Sequence, residues 1–249
     1  MNIHWHIEDR EIERLQAFVR RYDNAFVASR IARNVDRQGI VLDQNSLIHA
    51  LLMGLLTSRQ RSGPDTPVSN FLRTKPFPVT VENLRDAPDT EAFARDVLRQ
   101  YGLNRYINRI AGFFARDYHY LQASDWALLQ DLSALGKEAS NAEERRLADK
   151  VDEVFAGFGP KQARNFLQAL GLTRYEIPID SRTAAWLNEF GFPVTVSAGA
   201  ALQDKGYYHF VSDGIQQLCA RAGIYPCVLD AAIFSSFDKE PWTEKNIVY

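Results

Sequence analysis

Cysteine is almost missing from this chain, with Cys219 and Cys227 its only two. A four-ligand iron–sulfur or zinc-ribbon site needs more thiols, and no disulfide framework follows from one pair. Both stand in apolar, helix-like surroundings, which reads as buried, inert thiol. No apolar run reaches the ~18 residues of a membrane-spanning helix. The longest, LIHALLMGLL, is broken by His49 and Gly54. The N-terminus, MNIHWHIEDREIERL, is polar and acidic where a secretory leader would be basic and then apolar, so a cytoplasmic protein is expected, nucleoid-associated if bacterial. The five histidines show no metal spacing beyond His4/His6, a pair read as a surface feature. Serine or cysteine hydrolase signatures and nucleotide-binding loops are lacking too. What remains is an ordinary globular composition, 46% hydrophobic and 24% charged, over 249 residues. That is enough for one large domain or two small ones around a substantial core.

Net charge is also small, at −2. Its distribution is uneven. Residues Arg95 to Arg116 hold five arginines against one aspartate, and Thr57 to Lys75 hold Arg59, Arg61, Arg73 and Lys75 against Asp65. From Lys161 to Tyr175 there are three cations and no acid. A basic face on a near-neutral protein fits this pattern, and so do mixed, solvated helix faces.

Helical periodicity dominates and period-two alternation is scarce, so an all-α fold of roughly ten helices is expected. SLIHALLMGLLTSRQ repeats apolar residues at Leu47, Leu51, Leu55 and at Ile48, Leu52, Leu56, a wide buried stripe. DTEAFARDVLRQYG runs from an Asp/Thr cap to Gly102, and SDWALLQDL opens on a Ser124 cap. The pentapeptide FPVTV occurs at Phe77 and again at Phe192, both copies read as extended segments leading into a loop or helix. No low-complexity linker divides the chain.

The most informative stretch is NAEERRLADKVDEVF-AGFGP-KQARNFLQAL, read as helix, tight hairpin, helix. Gly157 and Gly159 leave backbone amides uncovered and reach conformations closed to other residues. Pro160 suits the first helical turn, where no amide donor is needed. The positive end of the second helix then lies beside the glycines, and together they form a socket for an anion, most naturally a DNA phosphate. Such a contact positions a backbone without reading sequence.

Phe155 to Arg182, with this hairpin followed by GLTRYEIPIDSR, resembles the helix-hairpin-helix DNA glycosylase superfamily. Lys161 at the hairpin and Asp180 nineteen residues later are similar to the lysine-bearing branch, the 8-oxoguanine DNA glycosylase/lyases. The resemblance extends loosely over residues 40–190, with LLMGLLTSRQRS similar to the helix and loop before a DNA-penetrating turn and NRYINRIAGFFARDY to an arginine-bearing helix. It implies two helical lobes with the active-site cleft between them. A barrel lobe would span 40–145. Residues 1–39 and 146–249 would form the other lobe, holding the hairpin (about 143–170) and the catalytic loop (171–182). Lys161 and Asp180 would be catalytic, and Gly157, Gly159 and Arg164 would hold phosphate. The implied activity is excision of a damaged or modified base, 8-oxoguanine first, from double-stranded DNA by a monomer. No cofactor is required, an iron–sulfur cluster is excluded by cysteine count, and the hairpin leaves room for a monovalent cation. Two rivals stay open: a non-catalytic DNA-binding module, and a glycosylase without lyase activity acting on another modified base, for example one marking foreign DNA.

The chemistry can be stated from the residues themselves. Breaking the bond between deoxyribose C1′ and the base leaves an electron-poor carbon, which an amine can take to form a Schiff base. A nearby carboxylate stabilises the cationic transition state and relays protons. The amine must be neutral to attack, and ordinary lysine titrates near ~10.4. Burial and a helix N-terminus lower that value while Asp180 raises it, and sequence does not decide between them. Lys161 as a phosphate contact and Asp180 as a plain helix cap are the structural alternatives.

A glycosylase also has to fill the gap left by the flipped nucleotide and bind the base. Arg59, Gln60 and Arg61 are gap-filling candidates, or else a solvated helix end. Trp186, Tyr207, Tyr208, Phe210, Phe234 and Trp242 offer stacking surfaces, although aromatics at helical spacing are commonly core. Trp186 and Phe234 are the pocket candidates among them, with Asp230, a carboxylate inside an apolar helix where uncompensated charge is costly. Asp230 either reads an exocyclic group or pairs with an arginine. The tail DKEPWTEKNIVY ends in a carboxylate that reaches the pocket or frays.

Overall fold

The computed structural model describes residues 4–58 and 60–248. These contain fourteen α-helices and no strand, and no single helix among them is long and apolar enough to cross a membrane. The all-α expectation holds. Five helices have no counterpart among the segments read above: α1 (Asp9–Arg21), whose Ile12, Leu15, Phe18 and Val19 do form an apolar stripe, and α2 (Ala25–Arg30), α4 (Pro67–Leu72), α5 (Val81–Asp86) and α12 (Ala198–Ala201). Four of them span six residues or fewer, too short for a 3.6-residue period to declare itself. The two FPVTV copies do lead into helices, α5 and α12, through the caps Thr80 and Ser197.

The remaining helices are α3 (Gln44–Leu56), α6 (Thr90–Gln100), α7 (Ile107–Ala123), α8 (Ala127–Ala134), α9 (Asn141–Val154), α10 (Pro160–Ala169), α11 (Ser181–Phe190), α13 (Lys205–Ala222) and α14 (Pro226–Ser236). α8 starts later than the Ser124 cap implied, after Trp126 in a left-handed conformation. Apolar on every side, α3 becomes the axis of a first core that gathers α3 to α10, from Leu47 to Leu172. A second core joins Leu15, Phe26 and Val27 to residues between Ile177 and Trp242.

This corrects the lobe boundary. The apolar faces of α9 and α10 (Leu147, Val151, Ala163, Phe166, Leu167) pack into the first core, so the division falls between Leu172 and Ile177 rather than at 145. The reason is that the hairpin helices are two-faced, and their polar sides hold the second lobe. Arg33, Asn34 and Arg37, on and just after the π-helical turn Ile31–Val35, donate to the carbonyls of Gln168, Ala169, Gly171, Leu172 and Thr173 at the end of α10. The Gln168 carbonyl also accepts the Gly171 amide; the three side chains supply donors to the other carbonyls at and just past the helix end, where no further helical amide follows. The hairpin is therefore the seam between the lobes.

Candidate active site

The hairpin turn, Phe155 to Gly159, is fixed from both sides. Gly157 sits at φ +76, and a Cβ there would lie 2.2 Å from the Phe113 ring. Phe158 rests on α3 at Gly54, where a Cβ would come within 2.5 Å of that ring, and the Gln162 side-chain amide donates to the Gly54 carbonyl. Asp117, fully buried on α7, accepts the Ala156 amide at 2.7 Å. Gly159 differs from Gly157. Its backbone is extended, at φ −151, and a Cβ would meet nothing within 4 Å.

Beyond the turn, none of the described residues accepts a hydrogen bond from the amides of Gly157, Phe158, Gly159, Lys161 or Gln162. All five residues line one cleft of about 700 Å³. Free amides at the positive end of a helix attract an anion.

Lys161 and Asp180 open onto that same cleft. Asp180 caps α11, its Oδ1 accepting the amides of Arg182 (2.8 Å) and Thr183 (3.0 Å). None of the described residues donates to Oδ2. Burial holds the Lys161 ammonium below the ordinary lysine range, outweighing the upward pull of Asp180 and then Asp230, and Arg182 adds to the lowering. The structure thereby decides the direction that sequence leaves open: burial outweighs the pull of the carboxylates.

The loop carrying Asp180 is tied to the Lys161 helix by a buried network. Glu144 of α9 accepts the amides of Arg174, Tyr175 and Glu176 at 2.8 to 3.1 Å. Tyr208 donates to the Ile177 carbonyl (2.7 Å) and accepts the Ile179 amide (2.9 Å). Arg164 is the link, and its expected phosphate role is corrected here. Fully buried, it bonds Glu176 and Asp149 at 2.9 Å each and lies over the Tyr208 ring. Three residues after Lys161, its side chain leaves the helix on the face turned toward the second lobe.

The other sequence candidates divide. Gln60 and exposed Arg61 line the cleft, with the Gln60 amide donating back to the Leu56 carbonyl at the end of α3. Arg59 lies outside the described residues. Trp186 is corrected to core: it is buried against Phe18 and Phe190, away from the cleft. Phe234 and Asp230 do line the cleft, as does Trp242 from the tail. That tail is anchored instead of fraying, since Arg73 donates to the Lys245 carbonyl and Val248 packs on the first core. The terminal carboxylate, on Tyr249, lies outside the described residues.

Sequence reasoning missed Phe26 and Arg30 on α2, which no local signal marks. Arg105, Tyr106 and Arg109, around the start of α7, also line the cleft. Their signal was the arginine-rich segment between residues 95 and 116, in which Arg95 and Arg99 instead pair with Glu91 and Asp96. Among the described lining residues, Arg30, Arg61, Arg105, Arg109, Lys161 and Arg182 stand against two carboxylates, Asp180 and Asp230, and Asp238 pairs with Arg182 from outside the lining. A groove so charged favours a polyanion.

No protein-family model matches this chain, and none of the curated proteins matches its sequence. Its fold is similar to that of the 8-oxoguanine DNA glycosylase of Thermotoga maritima, with a TM-score of 0.61 and 15% identity over 94% of this chain and 98% of that one. At that identity the likeness is one of fold.

Proposed function

On that fold and the chemistry of its cleft, we propose that this protein is a bifunctional DNA N-glycosylase and abasic-site lyase acting on double-stranded DNA. The observation that carries the reading is the opening of a depressed-pKa lysine and a capped carboxylate onto one cleft, beside five uncovered amides. The amides grip a phosphate of the damaged strand, and the cationic rim holds its neighbours. Lys161 Nζ donates its lone pair to C1′ of the flipped nucleotide as the C1′–base bond breaks, and the base leaves with a proton. Ring opening gives a C1′ Schiff base. Loss of a C2′ proton then expels the 3′ phosphate and nicks the strand. Asp180 keeps its carboxylate oriented through Oδ1, leaving Oδ2 to stabilise the cationic sugar and to move protons. An 8-oxoguanine base is the first substrate to try, because the similar fold carries that activity in its own protein and the hairpin resembles that branch.

The test is incubation with duplexes holding an abasic site or 8-oxoguanine, with and without borohydride. A covalent adduct formed by the wild type and lost in Lys161→Gln is the expected result. Base release without an adduct points to a glycosylase that lacks the lyase step. Binding with neither outcome leaves a phosphate clamp and ends the enzymatic reading.

A further inference from the structure

The proposed chemistry uses the cleft side of the hairpin and leaves unexplained what stands behind it. Phe113 and Asp117 are one turn apart on α7, and both meet the turn. The Phe113 ring lies against Gly157 and lines the cleft together with Gly157, Phe158 and Gly159. Asp117 and Ala156 are absent from that lining, so the carboxylate supports the turn from its far side. It is fully buried. Its Oδ1 accepts the Ala156 amide at 2.7 Å, and its Oδ2 has no partner among the described residues.

Holding one amide does not require a carboxylate. The side-chain oxygen of asparagine accepts as well, and an ionised group is the costlier one to bury. The position supplies a use for the charge. The amide held by Asp117 and the first amide offered to a phosphate belong to successive residues, Ala156 and Gly157. One hydrogen bond on each side and one residue step between them put the two anions within ~10 Å of each other. What separates them is protein, where like charges repel more strongly than across water.

We infer that Asp117 is a positioning residue that links phosphate binding at the hairpin to the uptake of a proton, so that DNA is gripped more tightly as pH falls. Resting on the glycosylase reading above, this names a regulation of the same site. The turn itself brings no charged side chain. The charges flanking it, Asp152, Glu153 and Lys161, interact with Arg164, Lys205 and Asp180. Against α7, α3 brings His49, bonded to the Leu72 carbonyl, and α6 brings Glu91, Arg95, Asp96 and Arg99, joined in two pairs. The charge that acts on Asp117 is that of Arg116, its neighbour on α7. Burial outweighs both that charge and the Ala156 amide, and the carboxyl stands at about 7 before DNA arrives. A phosphate across the turn raises it by about one unit more. The gain in affinity is therefore complete below about 7 and fades as pH rises through about 8.

The test is the affinity for a duplex holding a tetrahydrofuran abasic analogue, measured from pH 6 to 8. Calorimetry in two buffers of different ionisation enthalpy counts the protons. Over that range wild type is expected to lose about fivefold more affinity than Asp117→Asn, and to take up roughly half a proton more near pH 7.5. Gly159→Ala, which crowds the phosphate and leaves Asp117 in place, should also take up fewer protons than wild type, a comparison that holds however Asp117→Asn folds. Parallel pH profiles and equal proton counts in wild type and Asp117→Asn overturn the inference and leave the glycosylase reading standing, and so does undiminished uptake in Gly159→Ala. A wild type that binds this duplex at no pH would strike the glycosylase reading and the inference together.

Discussion

The proposed chemistry gives Asp180 a second job beside its helix cap, one for each oxygen, and a single substitution separates them. Asparagine caps a helix about as well as aspartate, so Asp180→Asn keeps the Oδ1 contacts to Arg182 and Thr183 while removing the charge. Base release and strand nicking should fall by roughly a hundredfold or more, with the melting temperature nearly unchanged. A rate within a few-fold of wild type would leave Asp180 as a cap alone. Asp117 supports the hairpin at a cost of its own. One oxygen holds the Ala156 amide, the other is buried with no partner among the described residues, and burial pushes the carboxyl up to about 7 against the opposing pull of Ala156 and Arg116. The sign follows from linkage. A folded-state value above the unfolded one means stability present below about pH 4 and lost progressively as pH rises through about 7. The ceiling on that loss is on the order of 4 kcal/mol. Urea melts from pH 4 to 8 should show the decline in wild type and a flatter profile in Asp117→Asn. Identical profiles would mean the carboxyl titrates normally.

Within the hairpin, two glycines of one motif serve different masters. Gly157 satisfies the fold, with positive φ and the Phe113 ring against its missing side chain, so Gly157→Ala should destabilise by about 1–3 kcal/mol. Gly159 is unstrained and faces open cleft, so Gly159→Ala should melt normally or slightly higher yet bind abasic DNA about tenfold more weakly, its methyl group standing where a phosphate approaches. Equal effects of the two on melting and binding would contradict this division. The motif was legible because short-range rules govern it: glycine freedom, proline at the first turn, a cap three residues before Thr183. Arg164 was misread for the opposite reason. Its charge suggested solvent and phosphate, but its surroundings come from Glu176, Asp149 and Tyr208, three separate elements that no local pattern brings together. Trp186 failed likewise, since its wall is Phe18 on α1.

Across the whole molecule, an all-α class and a cleft between two lobes were readable from periodicity and the hairpin resemblance, while the expected count of roughly ten helices fell short of the fourteen among the described residues. The seam was not, because α9 and α10 belong to the first core by their apolar faces and to the second lobe by their polar ones. Arg30 likewise gains its partner Asp230 only when α2 meets α14, at the far end of the chain. Through this seam the lysine helix and the aspartate loop are held as one unit, by Glu144 and Glu176 on one side and the π-helical turn on the other. The most direct test of that convergence is to digest the borohydride-reduced complex with abasic DNA and map the linked residue by mass spectrometry. The linkage is expected on Lys161 in wild type, with no adduct in Asp180→Asn beyond about a hundredth of the wild-type rate. A linkage on any other amine, or undiminished trapping without the Asp180 carboxylate, would contradict the account.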